Sequence, residues 1–227
     1  MTLKIIPLGG LGEIGLNMMV YECRGTIVIV DAGLMFPEDY MLGVDYVIPD
    51  MTYIRKNRSR VAGIILTHGH EDHIGGLPFL LREINVPVYG TAFTLELVRH
   101  KLEEHDLIKS VALHQISPRD RLRIGPFEIE FIRVCHSVVD GVGLAIGTPV
   151  GLVVHTGDFK IDHTAANEMK TDVNGFAQCG EKGVLALLSD STNVEKEGYT
   201  ISSDDIGRTL SGVTAGRKGR IIVALFA

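Results

Sequence analysis

The fold of this protein is decided by one stretch of its sequence, Thr67-His68-Gly69-His70-Glu71-Asp72-His73. The stretch brings three imidazoles and the Asp72 carboxylate together within six residues. It directly follows residues 61–66, an apolar run that is typical of a buried strand. These polar side chains are therefore expected at the end of a strand, on a loop.

The side chains of this stretch are of the kinds that bind metal ions. Neutral imidazole and carboxylate are ligands that zinc and similar first-row divalent ions prefer. The spacing lets His68 and His70 face one ion and leaves Asp72 and His73 free to turn to a second. A single histidine is usually a core or surface residue, but four such groups in a chain with nine histidines favour a metal site.

The composition is that of a globular protein. The chain has 227 residues, 45% of them hydrophobic, and can bury a sizeable core. It has no apolar run of the roughly 18 residues that span a membrane and no secretory signal pattern, so a cytoplasmic protein without a membrane partner is expected. Three cysteines without a C-x-x-C pair argue against a disulfide framework.

The formal net charge of −6 has the wrong sign for a simple nucleic-acid binder. Two bound divalent cations would add about four positive charges at the point where a phosphate must lie, so the local field can oppose the overall charge. The charge therefore neither supports nor excludes an RNA substrate.

A glycine pattern near the start of the chain resembles a dinucleotide-binding fingerprint. Gly10-x-Gly12-x-x-Gly15 follows a predicted strand over 4–8, but the fingerprint requires a helix next. Residues 17–22 are strand-like instead, and a second strand over 26–30 follows after a short turn. The glycines are therefore interpreted as a loop near the metal site.

Two predicted hairpins deliver further polar side chains. The hairpin over 122–134 is followed by His136, and the hairpin over 144–155 is followed by Asp158. Cys135 is expected in the core, because neighbouring residues of a strand point to opposite faces. His155 is expected to be a hydrogen-bonded structural residue.

Periodicity also predicts helices and one further strand. A helix is expected around residues 78–83, and another over 91–104 with Phe93, Leu97 and Leu102 as core candidates. Residues 54–60 form a basic run, which is better explained as a solvated helix end than as an RNA contact. An apolar strand over 184–188 precedes Asp190.

The pattern His68-x-His70-x-Asp72-His73 resembles the signature of the metallo-β-lactamase superfamily. Its fold class is α/β (α+β), an αββα sandwich in which two sheets lie between helices. Further segments narrow the resemblance to the ribonuclease J family, in the β-CASP branch of nucleic-acid hydrolases. These segments are 8–15, 31–38, 155–160 and 189–193.

The resemblance implies two bound ions, expected to be Zn²⁺ with Mn²⁺ or Mg²⁺ as alternatives. The implied ligands are His68, His70 and His136 for one ion, Asp72 and His73 for the other, and Asp158 as a bridge between them. The acids implied in catalysis are Asp72, Asp158 and Asp190.

The same resemblance implies supporting roles for other residues. Asp31 would orient the metal-binding loop without binding an ion, although residue type alone equally allows a capping aspartate. The Gly43 carbonyl and Asp45 would bind a calcium ion. Leu16 and Leu225 depart from the family, in which lysine and threonine are frequent at these positions.

Residues 1–195 are expected to be the amino-terminal part of a metallo-β-lactamase domain, and 196–227 the start of a truncated β-CASP domain. The sequence ends inside a predicted strand over 219–227, so the sandwich is expected to be incomplete at its carboxyl end. Compared with the family, such a fragment would lack a later metal-binding histidine, the histidine motif proposed to assist the leaving group, and the pocket for the RNA 5′-phosphate.

The resemblance implies a metal-dependent ribonuclease, a 5′–3′ exonuclease with endonuclease activity in RNA processing, including rRNA processing, and in decay. Its relatives form homo-oligomers and associate with RNA-decay enzymes. Two alternatives stay open. One is a thioester or lactam hydrolase of the same superfamily, and the other is an inactive fragment that serves only as a metal-binding scaffold.

Overall fold

The computed structural model describes residues 1–165, 169–199 and 201–224. Its first sheet has six strands in the order β1-β2-β3-β4-β5-β6. Their bounds are β1 Leu3–Gly9, β2 Met18–Cys23, β3 Thr26–Val30, β4 Val61–Ile65, β5 Val88–Gly90 and β6 Leu113–Gln115.

The first three strands of this sheet are antiparallel, and β3 to β6 run parallel. The glycine loop turns β1 directly into its antiparallel neighbour β2, with no crossover helix between them. This topology agrees with the interpretation that the glycines are not a dinucleotide-binding motif.

The second sheet has five strands in the order β11-β10-β9-β8-β7. Strands β7 to β10 are antiparallel, whereas β11 pairs parallel with β10. Both predicted hairpins are confirmed. The bounds are β7 Arg121–Ile124, β8 Phe127–Arg133, β9 Val142–Thr148, β10 Gly151–His155 and β11 Val184–Leu188.

The described part of the chain contains six α-helices, four of which pack on the outer faces of the two sheets. Their bounds are α1 Thr52–Lys56, α2 Glu71–Ile74, α3 Leu77–Glu83, α4 Ala92–Glu104, α5 Val173–Lys182 and α6 Ser203–Thr214, with a 3₁₀ turn at Arg58–Arg60. Side chains of α1, α3 and α4 pack on the outer face of the first sheet, and Phe176 and Cys179 of α5 pack on that of the second. A central core, which includes Tyr21 and Phe131, lies between the sheets. The architecture is the αββα sandwich expected from the sequence.

Helix α4 buries a face that differs from the predicted one. Leu102 is buried as expected and the half-buried Leu97 packs against the core, but Phe93 is 40% exposed, and Leu95 and Val98 are buried instead. These three buried residues recur at spacings of three and four, which is one stripe of a helix. The prediction for Phe93 was wrong because the sequence has apolar residues on two sides of α4.

The last part of the chain leaves apolar side chains exposed. Strand β11 is an edge strand, and its Leu185 and Leu187 are more than half exposed. Residues 219–224 contain no strand, contrary to prediction, and Leu225 with residues 226–227 lies outside the described residues. No helix in the described part of the chain is both long enough and apolar enough to cross a membrane.

Candidate metal centre

The predicted metal ligands meet at one edge of the sandwich, where strands of both sheets end. His68 and His70 follow β4, His136 follows β8, and Asp158 follows β10. Asp72 and His73 differ from the prediction of a loop, because they lie in the single turn of helix α2. Thr67 and Val142 join the two sheets here, since the Val142 N–H donates to the Thr67 carbonyl at 2.9 Å.

One group of ligand atoms comes from three histidines and Asp158. His70 Nδ1 lies 3.1 Å from His68 Nε2 and 3.2 Å from His136 Nε2. The Asp158 Oδ2 atom lies 3.6 Å from His136 Nε2 and 3.9 Å from His68 Nε2. Two ligand atoms bound to one tetrahedral zinc ion are about 3.3 Å apart, so this spacing fits an ion of that size.

The protonation of these histidines also fits a cation. Burial lowers the pKa of His68, His70 and His136 below the ordinary histidine value. A neutral ring carries one N–H and, on its other nitrogen, one lone pair. The lone pairs of these histidines are therefore available to a shared metal ion.

A second group consists of Asp72, His73 and again Asp158. The His73 Nε2 atom lies 3.7 Å from Asp72 Oδ2 and 3.4 Å from Asp158 Oδ1. Burial alone would lower the pKa of His73, but Asp31 and Asp158 outweigh burial and raise that pKa to about 10. A cation at this group would therefore displace a proton from His73.

Asp158 belongs to both groups through different oxygen atoms. Its Oδ2 faces His68 and His136, and its Oδ1 faces His73. Burial would raise the pKa of Asp158, but the hydrogen bond with His73 and the other histidines outweigh it, so the pKa falls below its usual value. This carboxylate stays ionised at neutral pH and has the geometry of a bridging ligand.

Asp31 lies beneath the second group and outside both sets of ligand atoms. Its Oδ1 accepts the Thr67 N–H and its Oδ2 accepts the Thr67 hydroxyl, both at 2.8 Å. Oδ2 also lies 2.7 Å from His73 Nδ1. A carboxylate in this position orients the ring and leaves Nε2 to face the site.

Asn17 was missed by the sequence analysis. Its Nδ2 lies 3.2 Å from Asp72 Oδ2 and 3.1 Å from His73 Nε2. The sequence places this residue directly after the glycine loop, and this position is the only feature of the sequence that could have marked Asn17 as part of the site.

Asp190 contacts the residue that follows Asp158 and belongs to neither group of ligand atoms. Its Oδ2 is 3.4 Å from the Phe159 N–H, and its Oδ1 accepts the Thr192 N–H and hydroxyl. Its catalytic role stays a prediction. Gly43 and Asp45 lie on an exposed turn, and Asp45 joins neither group of ligand atoms in the described residues, so the calcium site also stays a prediction.

Two neighbouring residues lie as expected. Cys135 is buried outside both ligand groups. His155 Nδ1 lies 2.8 Å from the hydroxyl of buried Tyr21, which agrees with a structural role.

The centre is open on one side. The side chains of His68 and His73 are 1% and 3% exposed, whereas those of Asp72 and Asp158 are 32% and 27% exposed. The acids therefore face the solvent from which a substrate would arrive, and the two buried histidines form the floor.

A family model described as the metallo-beta-lactamase superfamily matches residues 11–174. The chain belongs to the metallo-beta-lactamase superfamily. Within this superfamily it is similar to ribonuclease J of Synechocystis sp., with 49% identity over all of this chain and 36% of that protein. It is 45% identical to ribonuclease J of Helicobacter pylori over 33% of that protein, and 44% identical to ribonuclease J2 of Bacillus subtilis over 41%. The chain thus spans roughly two fifths or less of these curated relatives.

Solved structures share the superfamily fold at low identity. A protein of unknown function from Enterococcus faecalis has a TM-score of 0.68 at 17% identity, with 93% of this chain and 57% of that chain covered. The short form of human tRNase Z has a TM-score of 0.55 at 16% identity, with 92% and 88% covered.

Proposed function

We propose that this chain carries the two-cation centre of a metal-dependent ribonuclease. The observation that carries the proposal is the pair of ligand groups that share Asp158. Two-metal sites of this kind suit hydrolysis of phosphate esters, because each cation can face one of the two reacting oxygens. The names of the relatives support RNA as the substrate over a thioester or a lactam.

In this proposal His68, His70 and His136 would hold one ion, Asp72 and His73 would hold the other, and Asp158 would contribute to both groups. Zn²⁺ suits the mixed imidazole and carboxylate ligands, with Mn²⁺ or Mg²⁺ as alternatives. When bound, the cations would lower the pKa of water from about 15.7 toward about 7 and stabilise the charge that develops on the phosphodiester.

The chain's own residues orient this chemistry. Asp72 is held through Oδ2 by Asn17, and its exposed carboxylate is placed to accept a proton from the attacking water. Asp31 accepts a hydrogen bond from the Thr67 N–H and contacts His73 Nδ1, and it thereby fixes the start of the metal-binding loop at Thr67. Asp190 would act on the same site through its contact with Phe159, the residue after Asp158.

The same proposal includes the mode of RNA cleavage, the oligomeric state, the partners, the compartment and the domain division. We assign 5′–3′ exonuclease activity with endonuclease activity, homo-oligomers and RNA-decay partners by likeness to the ribonuclease J relatives. The three unpaired cysteines support a reducing compartment such as the cytoplasm. The same proposal divides the chain into the amino-terminal part of a metallo-β-lactamase domain over 1–195 and the start of a β-CASP domain over 196–227.

The test is hydrolysis of a 5′-monophosphorylated RNA by the natural protein that contains this chain, after loading with Zn²⁺ or Mn²⁺. The His68→Ala and Asp158→Ala variants should each lose about 10²–10⁴-fold in rate, because a ligand is removed from the centre. His100→Ala is the matched control, since His100 is an exposed histidine of α4. Its rate should equal that of the wild type.

Three other results would refute or replace the proposal. Unchanged RNA hydrolysis in both ligand variants would refute the assigned site. Metal binding without RNA hydrolysis, but with turnover of a thioester or a lactam, would assign the centre to another branch of the superfamily. Metal binding with no turnover of any of these substrates would support the scaffold alternative.

A further inference from the structure

Asn17 lies against the second ligand group, and its contacts go beyond the established ligand pattern of His and Asp. Its Nδ2 lies 3.2 Å from Asp72 Oδ2 and 3.1 Å from His73 Nε2. Asp72 Oδ2 can only accept a hydrogen bond when ionised, so the amide nitrogen must face it. One uncharged side chain therefore contacts both non-bridging ligands of this group.

The backbone around Asn17 is held tightly in an unusual conformation. Leu16 has a left-handed φ of 57°, a conformation that residues with a Cβ rarely adopt. The Asn17 N–H donates to the Asp72 carbonyl at 3.0 Å, and the Asn17 carbonyl accepts the Gly33 N–H at 2.9 Å. These bonds join Asn17 to helix α2 and to the segment after β3. The position of its side chain is therefore determined by elements that also position the ligands.

The glycine loop explains how the carboxamide reaches this place. A Cβ atom on Gly10 would lie 2.5 Å from Asn17 Oδ1, and Gly10 has a φ of 83°. Only glycine can adopt this conformation without strain and also leave room for the amide. The loop that resembled a dinucleotide motif thus closes over Asn17.

We propose that Asn17 is a positioning residue that preforms the second cation-binding group. Its N–H holds Asp72 Oδ2 toward the group, and this bond can persist when a cation is bound. The same amide nitrogen lies 3.1 Å from His73 Nε2 and so occupies one side of that ring. Asp31 holds the other nitrogen of the same ring, so Asn17 and Asp31 fix His73 from both sides.

The inference rests on the proposed two-cation centre, and its test measures binding without any turnover. Zn²⁺ is titrated into the metal-free chain in competition with a chromophoric chelator, and a His136→Ala variant identifies the step that belongs to the three-histidine group. In Asn17→Ala the second ion should bind about tenfold more weakly, as for other partners that orient metal ligands. The affinity for the first ion should stay within about twofold of the wild type, because no contact to its three histidines is lost.

Asn57→Ala is the matched control. The Asn57 amide also makes two side-chain hydrogen bonds, to the Tyr53 carbonyl and from Arg60, and it contacts neither ligand group. This variant should lower the unfolding temperature and leave both zinc affinities unchanged. A purely structural role for Asn17 would give the same pattern as Asn57→Ala.

Asn17→Leu keeps the size of the side chain and removes both N–H groups, so it replaces Asn17→Ala if that variant does not fold. In the wild type, the Asn17 side-chain NH₂ signals in ¹⁵N NMR spectra should shift with the second equivalent of Zn²⁺. The role of Asn17 would be overturned if the folded variants bound the second ion as tightly as the wild type or more tightly. It would also be overturned if the Asn17 NH₂ signals did not shift when Zn²⁺ is added. Failure of the wild type to bind two ions would overturn the proposed two-cation centre, on which the role of Asn17 rests.

Discussion

Asp31 combines backbone strain with three polar contacts beneath the metal centre. Its φ of 61° lies in the left-handed region, which residues with a side chain adopt rarely. The carboxylate is 1% exposed and is shared by the Thr67 N–H, the Thr67 hydroxyl and His73. Strain of this kind persists where surrounding contacts outweigh it.

We predict that Asp31→Ala lowers the free energy of unfolding of the metal-free protein by about 2–4 kcal/mol, because buried donors lose a charged acceptor. The affinity of the second cation should also fall by about 10–100-fold, since His73 is no longer oriented. Urea unfolding and chelator competition measure the two effects. Wild-type values for both would show that Asp31 is only a capping residue.

Glu22 is a source of pH-dependent stability outside the metal centre. It is 7% exposed and bonds Tyr53, Arg60 and Lys4. The Tyr53 hydrogen bond first, and then Arg60 and Lys4, lower the pKa of Glu22 to about 2 despite its burial. Because the unfolded pKa is about 4.3, this stabilisation is complete above about pH 5 and is lost as the pH falls toward 2.

We therefore predict that Glu22→Gln is about 1–3 kcal/mol less stable than the wild type at pH 7. The difference should shrink steadily between pH 5 and pH 2, as measured by urea unfolding. Glu96→Gln, which changes an exposed glutamate, should alter stability by less than about 0.5 kcal/mol at any pH. A pH-independent difference for Glu22→Gln would contradict the assigned pKa shift.

Among the elements, helix α2 depends on very close contact with the segment after β3. A Cβ atom on Gly33 would lie 1.7 Å from the Asp72 carbonyl oxygen, so the two backbones touch where no side chain fits. Leu34 N–H donates to the Glu71 carbonyl and Ala32 N–H to the His73 carbonyl. This packing holds the short helix that carries Asp72 and His73.

We predict that Gly33→Ala destabilises the protein by about 3 kcal/mol or more and weakens the second cation site, because α2 must move away. Thermal unfolding and zinc competition give the two measurements. Gly180→Ala is the control, since a Cβ there meets no atom within 4 Å in helix α5. That change should stabilise the protein by about 0.5–1 kcal/mol. Equal stability of the two variants would refute the close contact.

In the whole molecule, bound cations would connect the two sheets. His68, His70 and His73 lie in the segment that follows β4 of the first sheet, whereas His136 and Asp158 follow strands of the second. The central core and the Val142–Thr67 hydrogen bond already join the sheets. Cations at the edge would add a further connection that exists only in the folded state.

We predict that Zn²⁺ at about 100 times its dissociation constant stabilises the protein by about 2.7 kcal/mol for one site. This raises the unfolding temperature by about 5–10 °C for a chain of this size, and EDTA should reverse the shift. In the Asp158→Ala variant, which lacks the ligand common to both groups, most of the shift should disappear. An identical shift in that variant would mean that Zn²⁺ binds elsewhere.

The sequence alone determined most of the strands, both hairpins and the first candidate metal ligands. These features follow from short-range patterns, such as the alternation of apolar and polar residues along β8 and the spacing of His68, His70 and Asp72. A resemblance over several segments added His136 and Asp158, which no local spacing connects to the first motif. The αββα arrangement followed from the same resemblance and from the order of the predicted elements.

Only the tertiary structure decided which distant residues meet. The approach of Asn17 to Asp72 depends on a left-handed Leu16 and on the absence of a Cβ at Gly33. The buried face of α4 was likewise decided by the sheet against which it packs, and the sequence pattern had favoured Phe93. Local patterns specify conformations along the chain, but contacts between loops depend on the packing of the whole molecule, and they decide how the metal ligands are held.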